Sequence, residues 1–264
     1  IALQDINVEH FGYLQKKYSN LSVNDFLLAV NCPDVLRTQI ISELNVEGKT
    51  NIEDFFNSSI FDDLKQNKTF TIYYNAHRES SRKAFDTYIH SFNSDIEKNG
   101  INLVDIGWGG TMQEAIYKFF DHKIAVTGYY LGLGEIYNLQ PKTKRYGLNF
   151  SLMPYANYND CILMANMQLY EQFSAADHGS AVGYSLDAKD YTLEYHKPEE
   201  KWLYDNHIKA HQEDMFRLHK VLLKGLEPLC YSEGMMQDAM TKMALKIGLF
   251  QNIKKLKFLD TLSH

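Results

Sequence analysis

The stretch LVDIGWGGTMQEAI, Leu103 to Ile116, constrains the chain more than any other. It opens as a short apolar run suited to a buried strand. Three glycines and a tryptophan interrupt it, and an amphipathic helical pattern follows. A strand that feeds a helix through a glycine turn is a building unit of parallel sheets. Its neighbours fit the same plan. Residues 69–75 (TFTIYYN) are β-branched and aromatic and predict a strand. Residues 76–98 predict a helix with Ala84, Phe85, Tyr88 and Ile89 on one stripe. INLVDI (101–106) and KIAVTGYYLGL (123–133) predict two further strands with the helix MQEAIYKFF between them, and Gly132-Leu133-Gly134 ends the later one.

The expected class is therefore α/β, a parallel sheet with helices on its faces. Residues 1–65 predict a helical N-terminal layer, with Ser22 and Asn24 as helix caps. Within 141–160 only RYGLNF suggests a strand. Residues 161–173 suit one buried helix, 174–195 carry turns and short strand-like runs, and the chain from Glu199 onward is helical. The expected division is an α/β domain over 1–198, with the helical layer of 1–65 inserted in it. A C-terminal helical extension over 199–264 packs on that domain.

A chain of 264 residues with 45% hydrophobic content can bury a substantial core. Its net charge of −6 argues against binding nucleic acid through a bulk basic field. Cys32, Cys161 and Cys230 are sparse, odd in number and far apart, which fits buried free thiols in a reducing compartment. No apolar run is long enough to span a bilayer and no signal-peptide pattern opens the chain, so the expected location is cytoplasmic. The inner face of the membrane also fits, because KIGLFQNIKKLKF is basic and amphipathic. It suits either peripheral membrane contact or a last packed helix. The start, Ile-Ala-Leu instead of Met, carries the expectation of a longer parent protein.

In open parallel sheets ligands sit beyond the carboxyl ends of the strands. The residues of the glycine loop allow two readings there. In one, backbone N–H groups of Gly107, Trp108, Gly109 and Gly110, the start of the following helix and the Thr111 hydroxyl cradle an anion such as phosphate. Asp105 then faces sugar hydroxyls or developing positive charge. In the other, Thr111-Met112-Gln113-Glu114 is a capping box and the glycines only permit the turn. The spacing is neither GxGxxG nor GxxxxGK[ST], which argues against a dinucleotide fold and a P-loop NTPase.

Other residues are candidates by position. His77 and Arg78 follow the 69–75 run, and Arg78 or Arg82 can pair with phosphate oxygens. In EQFSAADHGSAVGY, Glu171, Asp177 or His178 can take a proton from an acceptor hydroxyl, and Ser180 can touch phosphate. The alternatives are a charged helix start and a surface turn. His207 and His211 share a helix face, with His219 two turns on. No Glu follows His207 as in HExxH, so a polar face is expected and no metal ligand is assigned.

LVDIGWGGTMQEAI resembles the phosphate loop of type I phosphoribosyltransferases. Together with YEQFSAADHGSAVGY it resembles more closely a phosphoribosyltransferase-like domain of bacterial capsule and O-antigen assembly proteins, which stands beside HAD-type phosphatase domains. The resemblance covers roughly Thr69 to Tyr184 and is most specific over 103–113. It implies a type I phosphoribosyltransferase-like, Rossmann-like sheet and a glycosyltransferase acting in surface polysaccharide biosynthesis. Such an enzyme moves ribose 5-phosphate (as ribofuranose) from phosphoribosyl pyrophosphate (PRPP) to a glycan acceptor, with Mg²⁺ carried on the donor pyrophosphate. A HAD-type phosphatase domain, in the same or a companion chain, removes the phosphate afterwards. The implied site has Asp105, Glu171 and His178 in catalytic roles and Gly107 to Thr111 on the 5′-phosphate. His77, Arg78, Arg82, Asp177 and Ser180 are weaker substrate contacts.

The chain departs from that family in three ways. Asp105 is followed by Ile106 and not by a second acid. Trp108 lies in the loop, where it can cover the ribose or pack on the helix. No pyrophosphate loop is evident before Thr69, which places that loop upstream of Ile1 as an expectation. Two other functions fit the same residues, a nucleotide-sugar-dependent glycosyltransferase and a non-catalytic module that binds an acceptor or partner beside a HAD phosphatase.

Overall fold

Phe26 sits fully buried against the rings of Phe55, Phe56, Phe61 and Phe70, with centroids 5.4–6.1 Å apart. This aromatic cluster organises one of two compact units in a computed structural model that describes Asp5 and residues 20–134, 139–179, 181–187, 190–195 and 198–249. The first unit takes the described residues up to Ser94 together with those of Val182–Glu194. The second takes Asp95–Ala181 and the described residues from Tyr195 onward.

In the first unit, α1 (Val23–Ala29) starts at Ser22, whose hydroxyl accepts from the Asp25 N–H at 3.1 Å. Asn24, the other expected cap, lies inside this helix. Next come α2 (Asp34–Glu43), a 3₁₀ turn (Phe55–Asn57) and α3 (Ser59–Gln66). Then α4 runs from Lys68 to Phe92, capped by Asn67 through the Phe70 N–H at 2.8 Å.

The strand expected over 69–75 is thus the first two turns of α4, a correction with a clear cause. Phe70 and Tyr74 are four residues apart and both buried. Ser81, Ala84, Phe85 and Ile89 continue the same buried side, while Ile72 is exposed. The helical period of the core contacts overrides the β propensity of Thr, Ile and Tyr. The described residues of Val182–Glu194 add aromatic contacts to this unit, with Tyr184 against Phe85 at 4.9 Å and Tyr191 against Tyr88 at 5.1 Å. They come from β4 (Ala181–Asp187) and β5 (Asp190–Tyr195), which pair with each other.

The second unit is a mixed α/β structure with a three-stranded parallel sheet in the order β1 (Ile101–Asp105), β2 (Val126–Leu133), β3 (Thr143–Ser151). A short helix, α5 (Ile96–Asn99), leads into β1, and α6 (Thr111–Phe119) is the crossover to β2. Leu103, Gly128 and Arg145 stand in one row across the sheet. Asp105, Tyr130 and Gly147 stand in a row two residues further on, so alternation puts all six on one face. Val104, Tyr129 and Tyr146 share the opposite face, and all three are exposed.

The helix expected over 161–173 is two helices, α7 (Tyr158–Met164) and α8 (Met167–Phe173), because Ala165 and Asn166 interrupt it. A reciprocal cap opens α7. The Asn157 N–H donates to the Asp160 carboxylate at 2.9 Å and the Asp160 N–H donates to the Asn157 side chain at 3.0 Å. Asp160 also accepts from the Ser151 N–H at the end of β3 and from Gln237 at 2.9 Å. Gln237 belongs to α11 (Glu233–Leu249); before it come α9 (Pro198–Leu203), a π turn (Tyr204–Ile208) and α10 (Lys209–Leu226). Most of KIGLFQNIKKLKF lies outside the described residues. No helix among the described residues is long and apolar enough to cross a membrane. Cys32 is a buried free thiol as expected, but Cys161 and Cys230 are exposed free thiols, Cys161 on the outer side of α7 and Cys230 in the irregular segment before α11.

Candidate functional site: the glycine loop and the floor beneath it

The loop leaves the carboxyl end of β1, the position from which parallel strands present ligand groups. It is tied to β2 at two points, with the Gly132 N–H donating to Ile106 O at 3.2 Å and the Gly134 N–H donating to Trp108 O at 2.8 Å. The peptide between Gly107 and Trp108 is cis. Gly110 takes the left-handed conformation, φ +70°, and is the N-cap of α6.

The expected capping box does not form. Helix α6 already begins at Thr111, and its cap residue, Gly110, has no side chain to accept from the first turn. Glu114 instead pairs with Lys118, 3.0 Å away on the next turn. The first-turn N–H groups of α6 therefore have no side-chain cap, and Thr111 is exposed beside them. Such a helix start suits an anion.

Beneath the loop lies a polar floor built on Gln113. Gln113 is fully buried. Its Nε2 donates to Val126 O at 2.7 Å and Lys144 O at 2.9 Å. Its Oε1 accepts from the Tyr130 hydroxyl at 2.7 Å and from Arg145 Nε at 3.2 Å. Both donors and both acceptor positions of the amide are thus used. Gly128 makes room for this arrangement, since a Cβ there would lie 2.4 Å from the Tyr130 ring and 2.7 Å from Gln113 Oε1. Gly110 fits just as closely, with its missing Cβ site 2.9 Å from the Tyr130 hydroxyl and 2.7 Å from Arg145 Nε.

Tyr130 records the electrostatics of this floor. Burial pushes its phenol up to about 12, the Arg145 charge opposes that rise, and the Asp105 charge adds to it. The folded protein holds this proton more tightly than the unfolded chain does. The stability it contributes is whole below pH about 10 and is lost as pH rises through about 12. Phenolate absorbance should show a late tyrosine ionisation, to which Tyr170, also raised by burial, adds, and Tyr130→Phe should diminish that late step and flatten the alkaline fall in stability. A single tyrosine transition in both proteins would contradict the arrangement.

Trp108 packs and does not stand open. Its indole stacks on Phe150 of β3 at 5.6 Å and 17°, tilts against Tyr170 at 6.1 Å, and donates from Nε1 to Glu171 Oε1 at 2.8 Å. The structure thus brings Glu171 of α8 to the loop across 63 positions of sequence. Glu171 is exposed, so its carboxylate remains open to solvent. Asp177 and His178 belong to the same unit and are exposed. His178 Nδ1 lies 2.8 Å from Gly179 O, and Lys201 reaches the Asp177 carbonyl at 3.4 Å. Ser180 lies outside the described residues.

His77, Arg78 and Arg82 do not follow a strand. They sit inside α4, in the other unit, where the His77 ring stacks on Tyr73 at 5.5 Å and Arg78 pairs with Asp5 at 3.7 Å. Their expected place at a strand's carboxyl end fell with the strand itself. Arg145 is the residue the sequence reading passed over. The signal was present in TKRYGLNF, where Thr143, Arg145 and Gly147 alternate onto one face, but the surrounding 141–160 looked irregular. Among the described residues no group of three or more His, Cys, Asp or Glu side chains comes together.

Compared with known families the chain matches no family model, and no curated protein matches it either.

Proposed function

We propose that the chain is a phosphoribosyltransferase-like glycosyltransferase that moves ribose 5-phosphate from PRPP to a glycan acceptor in the assembly of a bacterial surface polysaccharide. One observation carries the reading: a glycine loop at the carboxyl end of a parallel strand runs into a helix start without a side-chain cap, with Asp105 at the strand's last position. The three parallel strands support this reading, in which they form the core of a type I phosphoribosyltransferase sheet.

In this mechanism the 5′-phosphate rests on the loop amides and the Thr111 hydroxyl. Asp105 meets the ribose hydroxyls and stabilises positive charge as the ring becomes oxocarbenium-like. The acceptor oxygen forms its bond to C1 as the C1–O bond to pyrophosphate breaks, and pyrophosphate leaves with the electron pair. Glu171, exposed and steered by Trp108, takes the acceptor proton, and His178 is the second candidate for that role. Mg²⁺ would be held by the pyrophosphate of the donor, not by side chains of this chain, and would supply charge neutralisation to the leaving group. Fixed placement of these charges supplies most of the rate. The phosphorylated product then suits a HAD-type phosphatase partner.

The test is donor-dependent release of pyrophosphate with Mg²⁺ and a polysaccharide acceptor extract. Protection against heat by PRPP and not by a nucleoside diphosphate sugar is expected, and the reverse would favour a nucleotide-sugar enzyme. If Thr111→Val and Gly109→Ala leave the activity of a phosphatase complex intact, the chain is instead a binding module. A sharper expectation concerns Trp108→Phe, which keeps the stack on Phe150 and frees Glu171. Transfer should fall about tenfold, the worth of one charge-assisted hydrogen bond, with donor affinity little changed. An equal loss in both would contradict the role given to Glu171.

A further inference from the structure

Arg145 carries a positive charge that the fold does not answer. Of its five N–H groups, only that on Nε is used, by Gln113 Oε1 at 3.2 Å. Nη1 and Nη2 are buried without a hydrogen-bond partner, and among the described residues no carboxylate pairs with them. An unpaired buried cation is costly, so a guanidinium kept in that state is suited to a partner that arrives from outside. Its place is defined on several sides. It shares a sheet row with Gly128, it lies against the missing Cβ site of Gly110, and it flanks Tyr130 with Asp105. Asp105 is half-buried and likewise unpaired, for its carboxylate acts on Tyr130 and has no hydrogen-bond or ion-pair partner among the described residues. Two opposite charges on one face of the sheet are thus left unpaired at the foot of the glycine loop.

We propose that Arg145 is the cationic receptor for the phosphate monoester of the ligand, with its Nη fork on two phosphate oxygens while Asp105 takes the sugar hydroxyls. This deepens the phosphate reading of the loop and rests on it. A planar fork with four free N–H groups matches a phosphate in bidentate fashion, which a lysine ammonium does not. It also supplies the full charge that a helix start, worth roughly half a charge, lacks. The pairing makes the site selective for a phosphorylated sugar over the sugar alone.

Calorimetric titration of the full chain with ribose 5-phosphate, ribose and inorganic phosphate tests this. Arg145→Gln should weaken ribose 5-phosphate about 10- to 100-fold, the loss expected for a charge-assisted pair, and leave ribose unchanged. Arg145→Lys should recover only part of the affinity, and Asp105→Asn should weaken ribose as well. Equal weakening of ribose and ribose 5-phosphate by Arg145→Gln would mean a merely structural role and overturn the proposal. If Arg145→Gln binds like the wild type while Thr111→Val does not, the Arg145 assignment falls and the loop reading stands. If the wild type binds neither ribose 5-phosphate nor phosphate, both fall. Should the variants not fold, ¹⁵N-arginine labelling of the wild type decides. Of the five arginine guanidinium groups, the one with nuclear Overhauser contacts to the Tyr130 ring should shift on adding inorganic phosphate, and no shift there overturns the proposal.

Discussion

Asp105→Asn is expected to lower ribosyl transfer about 100- to 1000-fold, the usual cost of losing one preorganised charge aimed at a transition state. The substitution keeps the shape, removes the charge and turns one acceptor oxygen into a donor amide. Its effect on stability should be small, because the carboxylate has no hydrogen-bond or ion-pair partner among the described residues. The side chain thus separates chemistry from folding unusually well. The measurement is kcat and KM for PRPP alongside a thermal melt. A folded Asn variant with full kcat would remove Asp105 from the mechanism.

The second large effect is on stability. Gln113→Leu conserves volume in a fully buried site and strips out all four hydrogen bonds of the amide. Two strand carbonyls, a phenol and a guanidinium N–H would be left without their partner. At about 1–3 kcal/mol for each buried group left unpaired, and allowing for relaxation, the loss should be about 3–5 kcal/mol. Urea unfolding followed by the fluorescence of Trp108 and Trp202, which belong to the same unit, reads the unit that contains the sheet. Gln113→Glu retains both acceptor positions and loses the two donors, so it should fall between wild type and Leu. If both variants unfold at the wild-type midpoint, Gln113 is not the tie between α6 and the sheet.

The parts of the fold that were legible are those where local pattern and tertiary environment agree. The strands at 101–105, 126–133 and 143–151 are apolar or alternating, and Gly132 to Gly134 ends one of them as expected. Residues 69–75 misled because their composition favours a strand, whereas their partners Phe26 and Phe61 reward the helical spacing of Phe70 and Tyr74. Ser22 was recognisable as a cap from its own type. Thr111 was not recognisable as a non-cap, because the left-handed Gly110 moves the helix start by one residue. In the site, Asp105 and the loop could be placed from strand–turn–helix order alone. The Trp108–Glu171 hydrogen bond and the Gln113–Tyr130–Arg145 cluster could not, since they join segments 17 to 63 positions apart. A register between strands must be known before such residues can be seen as neighbours.

The course of the chain between the two units has a practical consequence. It passes from the first unit to the second after Ser94, returns at Val182, and leaves again after Glu194. No single cut can therefore release either unit whole. A protease nick between Ser94 and Asp95 would leave Tyr184 and Tyr191, the ring partners of Phe85 and Tyr88, on the other fragment. The two pieces of such a nicked protein should co-purify, held by the borrowed hairpin. A fragment ending at Ser94 should expose the aromatic side of α4 and bind hydrophobic dyes that the intact chain ignores.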